Sequence, residues 1–193
     1  MRFNRIAKDL EMDESDVRDM MIFTRNAKGA PTKIGDVMNV SMTEDYARKA
    51  FGAPVPDLSV AARARGADWV YTYLRSFYVD PHRPTGMNNT VFPDVGMPNI
   101  LWKEQGLQEV VYKTVEHEGV EVEEVDHLEV VVPGTMSRVE FDGYVADLTN
   151  FMVYLAEPVQ NVRRSLGWKV LGFLVIFFIF AYMLKKEYWK DVH

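Results

Sequence analysis

The residue types that most often carry chemistry are either missing from this chain or scattered along it. Its four histidines, His82, His117, His127 and His193, form no HxxxH or HExxH pair, so no helical face offers two imidazoles to a metal. There is no GxSxG elbow, Walker loop or GxGxxG turn to raise a nucleophile or cradle a phosphate. No cysteine is present, which removes disulfides, thiolate nucleophiles, cysteine-held zinc or iron–sulfur clusters, and haem attached through thioethers. What remains is softer. Met97 stands in FPDVGMP, a loop between Pro93 and Pro98 that could present a side chain rigidly. It is one of eleven methionines, and any one of them alone reads first as core filler. Arg65, Trp69 and Phe92 read by composition as a surface arginine and two core aromatics. An autonomous soluble enzyme is therefore disfavoured.

One run of sequence sets the broad class. Residues 170–184 read VLGFLVIFFIFAYML without a charge, and back to Ser165 the run is interrupted only by Lys169. At 1.5 Å per residue, 165–184 spans about 30 Å, the thickness of a bilayer core. Lys169 can snorkel at one end, and Trp168, Tyr182, Tyr188 and Trp189 suit the two interfaces. A buried core helix would not be apolar on every side with basic residues at both ends. Arg163, Arg164 and Lys169 balance Lys185, Lys186 and Lys190, so the flanking charge gives no orientation. The first ten residues, MRFNRIAKDL, contain no apolar signal core.

The rest of the chain must position whatever chemistry exists. Of its 193 residues 48% are hydrophobic, with a net charge of −6, which excludes disorder and disfavours a nucleic-acid partner. Asp13-Glu14-Ser15-Asp16 opens one helix, and a Ser41…Glu44 capping box opens another through Phe51. Asp57 can cap a turn running from 58 to 65; after Gly66 a longer helix is expected to reach Tyr78, with Trp69, Val70, Tyr73, Leu74 and Phe77 on its apolar stripe. Residues 80–98, with Pro81, Pro84, Pro93, Pro98, Gly86 and Gly96, read as loop. Alternating valines over 110–115 and 120–125 around Glu118-Gly119 read as a β-hairpin. A second box, Ser137…Glu140, opens a helix stopped by Pro158, expected to bury Val139, Tyr144, Val145, Leu148, Phe151, Met152 and Leu155. About eight residues would then lead to the span.

PDLSVAARARGADWVYTYLRSFY (56–78), PTGMNNTVFPDVGMPNILW (84–102) and GTMSRVEFDGYVADLTNFMVYLAEP (134–158), in this order and before a basic-flanked span, closely resemble the cytochrome c1 family, in its bacterial form. The resemblance covers nearly the whole chain. It implies a mainly α, cytochrome c-like fold with a small β-hairpin insertion and one C-terminal transmembrane helix. The organisation is then 1–160 as the cytochrome c-like domain, 165–184 as the membrane helix and 185–193 as a short basic tail. It also implies haem c as cofactor, Met97 as an axial thioether ligand to its iron, and Arg65 facing a haem propionate. Pro56, Leu58, Trp69 and Phe92 would contribute to the haem wall.

The same resemblance implies electron transfer in a respiratory quinol–cytochrome c reductase, from the Rieske iron–sulfur subunit through the haem to cytochrome c. Cytochrome b would be a neighbour, and the soluble domain would sit on the periplasmic side of a bacterial inner membrane. Such a subunit carries electrons and is not catalytic by itself. The alternative is a single-pass membrane-anchored scaffold or assembly subunit without a cofactor. The sequence departs from the family in lacking CxxCH, which normally supplies both thioether sulfurs and the proximal histidine; no histidine precedes His82. In the family a segment like MRFNRIAKDL follows that motif within a few residues, so the expectation is an N-terminally incomplete chain beginning at an internal methionine. The acidic hairpin, with Glu121, Glu123 and Glu124, reads either as a merely solvated element or as a negative dock for a basic cytochrome c.

Overall fold

A computed structural model describes residues 1–25, 29–40, 42–117 and 120–190, with no account of the side chains of 117 and 120. The described residues hold eight helices and two antiparallel two-stranded sheets. Contacts divide the chain into two compact units, Met1–Leu58 and Ser59–His193.

The first unit contains α1 (Phe3–Asp9), α2 (Glu14–Met21) and α3 (Glu44–Phe51). Helix α2 begins where the acidic run predicts, with Asp13 at its N-cap. Helix α3 ends at Phe51 as expected, but its cap is Thr43, whose hydroxyl accepts the Tyr46 amide at 3.3 Å. A threonine immediately before the helix can reach an orphan first-turn amide; Ser41, assigned that role by sequence, lies outside the described residues. Phe3, Ala7 and Val17 pack under Met12, Met21, Ile22, Ile34 and Met38 to form this unit's small core.

The second unit carries α4 (Ala61–Arg65), α5 (Ala67–Arg75), β1 (Phe77–Val79), β2 (Met87–Asn89), α6 (Trp102–Gln105), β3 (Gly106–His117), β4 (Val120–Pro133), α7 (Arg138–Ala156) and α8 (Gln160–Tyr188). Helix α4 begins at Ala61 with Val60 at its N-cap and no side-chain cap, so Asp57 does not open it. Gly66 separates α4 from α5 at φ +94°, a conformation that only glycine adopts without strain. The expectation of one helix to Tyr78 fails at its end. Helix α5 stops at Arg75, and Phe77-Tyr78-Val79 pairs instead with Asn89-Asn88-Met87. An aromatic, β-branched triplet favours a strand once it has a partner, and that partner lies inside the stretch read as pure loop.

The hairpin is longer than the valine pattern showed, running from Gly106↔Pro133 out to His117↔Val120 with register shifts after Leu107 and Val111. Its Glu118-Gly119 turn lies outside the described residues. At its base the chains approach so closely that a Cβ on Gly106 would meet the Val132 carbonyl oxygen at 2.3 Å, and one on Gly134 the Glu104 carbonyl oxygen at 2.3 Å. Only glycine fits at either place.

Helix α7 opens with the expected capping box: the Ser137 hydroxyl accepts the Glu140 amide, while the Glu140 carboxylate accepts the Ser137 amide at 2.9 Å. Its buried face differs in part from expectation. Val145 is fully buried, but Val139 is 81% exposed and Tyr144 is also exposed; Phe141, Val145 and Thr149 form the inward line, with Leu148 and Met152 beside it. The strict i, i+4, i+8 line wins because α7 lies against both α4 and α5, through a core of Ala62, Val70, Leu74, Leu101, Phe141 and Val145. Arg75 pairs with Asp142 across α5 and α7 at 2.6 Å.

Helix α8 starts at Gln160, earlier than the apolar run, and includes all of it. It is long and apolar enough to cross a membrane, and none of that stretch is buried. Between α7 and α8 lies only a short turn around Pro158. Across it the Arg163 guanidinium makes a two-pronged ion pair with Glu157, which holds that carboxyl below its usual range.

Candidate functional site: an aromatic wall ending in a methionine thioether

Helical spacing sets the site. Arg65, Trp69, Tyr73 and Phe77 recur every four residues, and although Gly66 breaks the helix their side chains remain in one line. The Arg65 guanidinium lies over the Trp69 ring at 5.2 Å from its centroid and against Phe92 at 6.0 Å. Trp69 stacks on Tyr73, with centroids 4.9 Å apart and planes 10° apart, and Tyr73 meets Phe77 edge-on at 5.2 Å. The line ends at Met97: the Tyr73 hydroxyl donates to Met97 Sδ at 3.4 Å. Met97 is half-buried and packs against the α5–α7 core. Burial raises the Tyr73 pKa, so this phenol stays protonated and remains a donor.

Thus Arg65, Trp69, Phe92 and Met97, singled out from the sequence, converge on one surface of the second unit. Pro56 and Leu58 belong to the first unit, in an exposed stretch without helix or strand.

The loop that presents Phe92 and Met97 is held by residues that the sequence reading did not single out. Asn89, fully buried, donates through Nδ2 to the Tyr73 carbonyl at 2.8 Å, and its Oδ1 accepts the amides of Val91 and Phe92. Asn88 Oδ1 accepts the amides of Asn89 and Asp94, each at 2.9 Å, while its Nδ2 donates to Asp80 at 2.9 Å. The Asn88 bond is the first cause of a lowered Asp80 pKa, and the His82 amide is the second. Arg83 donates to the Asp94 carboxylate and carbonyl, both at 2.8 Å, holding that residue at φ +61°. Past Met97, the buried Asn99 donates to Gln105, which donates to the Arg75 carbonyl. The only sequence signal for these roles was asparagine between prolines, the residue type that bonds its own neighbouring backbone.

The chain matches the model of the Cytochrome C1 family over residues 1–192. The chain belongs to the cytochrome c1 family. It is 47% identical to the cytochrome c1 of Allochromatium vinosum over 193 residues, covering all of this chain and 76% of that protein. It is 46% identical over the same span to a protein of Nitrosomonas europaea named ammonia monooxygenase gamma subunit, 75% of which is covered. Mitochondrial cytochrome c1, heme protein, of Saccharomyces cerevisiae is 26% identical over 176 residues, 86% of this chain and 50% of that protein.

Membership of the cytochrome c1 family implies electron transport in a respiratory quinol–cytochrome c reductase, the cytochrome bc1 complex, with haem c as cofactor. The donor set of the wall fits one face of that group. It has a thioether soft enough for iron, a permanent cation for a carboxylate, and flat apolar rings between them. The sequence holds no cysteine for covalent attachment.

Proposed function

We propose that the surface from Arg65 to Met97 is the haem-facing wall of a single-pass electron carrier in a bacterial quinol–cytochrome c reductase. The observation that supports it most is the Met97 thioether, set by Tyr73 at the end of an aromatic row whose other end carries Arg65. Met97 would hold the iron through its thioether, Arg65 would neutralise a propionate, and Trp69 and Phe92 would exclude water; Pro56 and Leu58, carried by the first unit, are proposed as further haem-binding residues. Haem, when bound, supplies one-electron exchange. A thioether ligand would favour the ferrous state and raise the potential, as an electron acceptor in a respiratory chain needs.

In this reading the Rieske iron–sulfur subunit delivers the electron, cytochrome c removes it, and cytochrome b is the membrane neighbour. Residues 1–160 form the electron-carrying domain on the periplasmic side, 165–184 span the inner membrane and 185–193 form the tail. The subunit makes and breaks no bonds of a substrate. The Met97→Leu substitution in the haem-loaded protein tests the assignment. It is expected to abolish the far-red sulfur–iron absorption and to lower the potential, because leucine offers no electron pair. An unchanged spectrum and potential would move the ligand role elsewhere.

The Nitrosomonas relative favours a second reading, in which the same electron-carrying wall serves a monooxygenase complex. Purification from native membranes separates the two: cytochrome b and the Rieske subunit accompany the chain in the first case, and monooxygenase subunits in the second.

A further inference from the structure

Tyr73 makes more of the contacts that fix Met97 than packing alone would require. Its ring is held by stacking on Trp69 and an edge contact with Phe77, which places its hydroxyl beside Met97 Sδ. Its carbonyl accepts from Asn89, whose other end holds the amides of Val91 and Phe92. The same residue therefore ties down the start of the loop through its backbone and the methionine in that loop through its hydroxyl. A phenylalanine would fill the same space. A half-buried phenol that donates to a thioether, a weak acceptor, is a choice of electronic consequence.

We infer that Tyr73 is a positioning residue for Met97 that also sets how strongly the thioether can donate. The inference rests on reading Met97 as the axial ligand. An O–H directed at sulfur withdraws electron density from it and leaves its second lone pair for the metal. Ferric iron depends on that donation more than ferrous iron does, so the hydrogen bond favours the reduced state. Hydrogen bonds just outside the ligand shell are a known means of tuning iron centres.

The test uses the haem-loaded protein in its native membranes. Tyr73→Phe retains the stacking and removes the donor. The reduced-to-oxidised ratio at fixed ambient potential is expected to fall about two- to tenfold, as loss of one net hydrogen bond implies, with a shifted far-red sulfur–iron band. Site-specific replacement of Tyr73 by a ring-fluorinated tyrosine, whose more acidic hydroxyl is a stronger donor, should move the ratio the opposite way. A purely structural role predicts no such pair of opposite shifts. If Met97→Leu abolishes the band while both Tyr73 replacements leave ratio and band unchanged, the inference is overturned and the ligand assignment stands. If Met97→Leu itself changes nothing, the ligand assignment falls and this inference with it.

Discussion

The loop from Asp80 to Leu101 and the β3–β4 hairpin pose opposite structural problems within one unit. The hairpin is a long antiparallel ladder broken by only two register shifts among its described residues, yet much of it is exposed, and it sets Glu109 against Glu129 and Glu116 against Glu121 in direct register. Like charges facing each other across a ladder weaken it. The loop has one three-residue strand, no helix and several prolines, yet its asparagines Asn88, Asn89 and Asn99 are buried and bonded to backbone. Regular hydrogen bonding therefore does not mark the part of the molecule held most firmly. The loop is irregular because each of its turns has its own side-chain partner, and the hairpin is regular because its backbone has only itself to bond.

Substitutions should separate the two regions by size of effect. Asn89→Ala leaves the Tyr73 carbonyl and the Val91 and Phe92 amides without their partner, and should cost about 2–4 kcal/mol in chemical denaturation. A cost below about 0.5 kcal/mol would mean that the loop is held by packing alone.

A smaller effect follows from acid. The folded Asp80 pKa lies below its ordinary value, so its contribution is complete above the unfolded pKa and is lost as pH falls through the folded one. Loop opening, followed by amide hydrogen exchange at Asn89 and Asp94, should therefore rise at pH below the ordinary aspartate range. In Asp80→Asn that acid-dependent step should disappear.

The smallest effect on stability belongs to the hairpin. Replacing Glu121, Glu123 and Glu124 together by glutamine should change stability by no more than about 0.5 kcal/mol, or raise it slightly by relieving the Glu116–Glu121 opposition. The same variant should flatten the salt dependence of electron transfer to a basic cytochrome c, if this face steers the encounter. An unchanged rate and unchanged salt dependence would make the acidic face only a solubilising one.

The same contrast explains what the sequence revealed. Helices α2, α3 and α7, the hairpin and the apolar run of α8 are periodic or capped, and periodicity survives in one dimension. The end of α5 was misplaced because Phe77 continues a helical stripe while also suiting a strand, and only pairing with Asn89 decides between them. Val139 and Tyr144 were assigned to the buried side of α7 because they are apolar, but the faces of α4 and α5 select the narrower line through Phe141, Val145 and Thr149. In the candidate site, Arg65, Trp69, Phe92 and Met97 were found through family likeness. Tyr73 was legible only as a member of the apolar stripe, and Asn88, Asn89 and Arg83 not at all, because a bond from a side chain to a partner across a loop leaves no spacing to read.

The junction between α7 and α8 has a mechanical consequence. A helix of 29 residues is about 43 Å long, longer than the bilayer core, so α8 continues as a stiff rod out of the lipid. The turn that joins it to α7 is short, contains Pro158 and is strapped by the forked Glu157–Arg163 pair. Torque applied to the rod is thus passed to α7 and to the wall packed on it instead of being lost in a slack tether. The near end of the rod is therefore fixed to the core that α7 shares with α4 and α5, and a tilt of one is a tilt of the other.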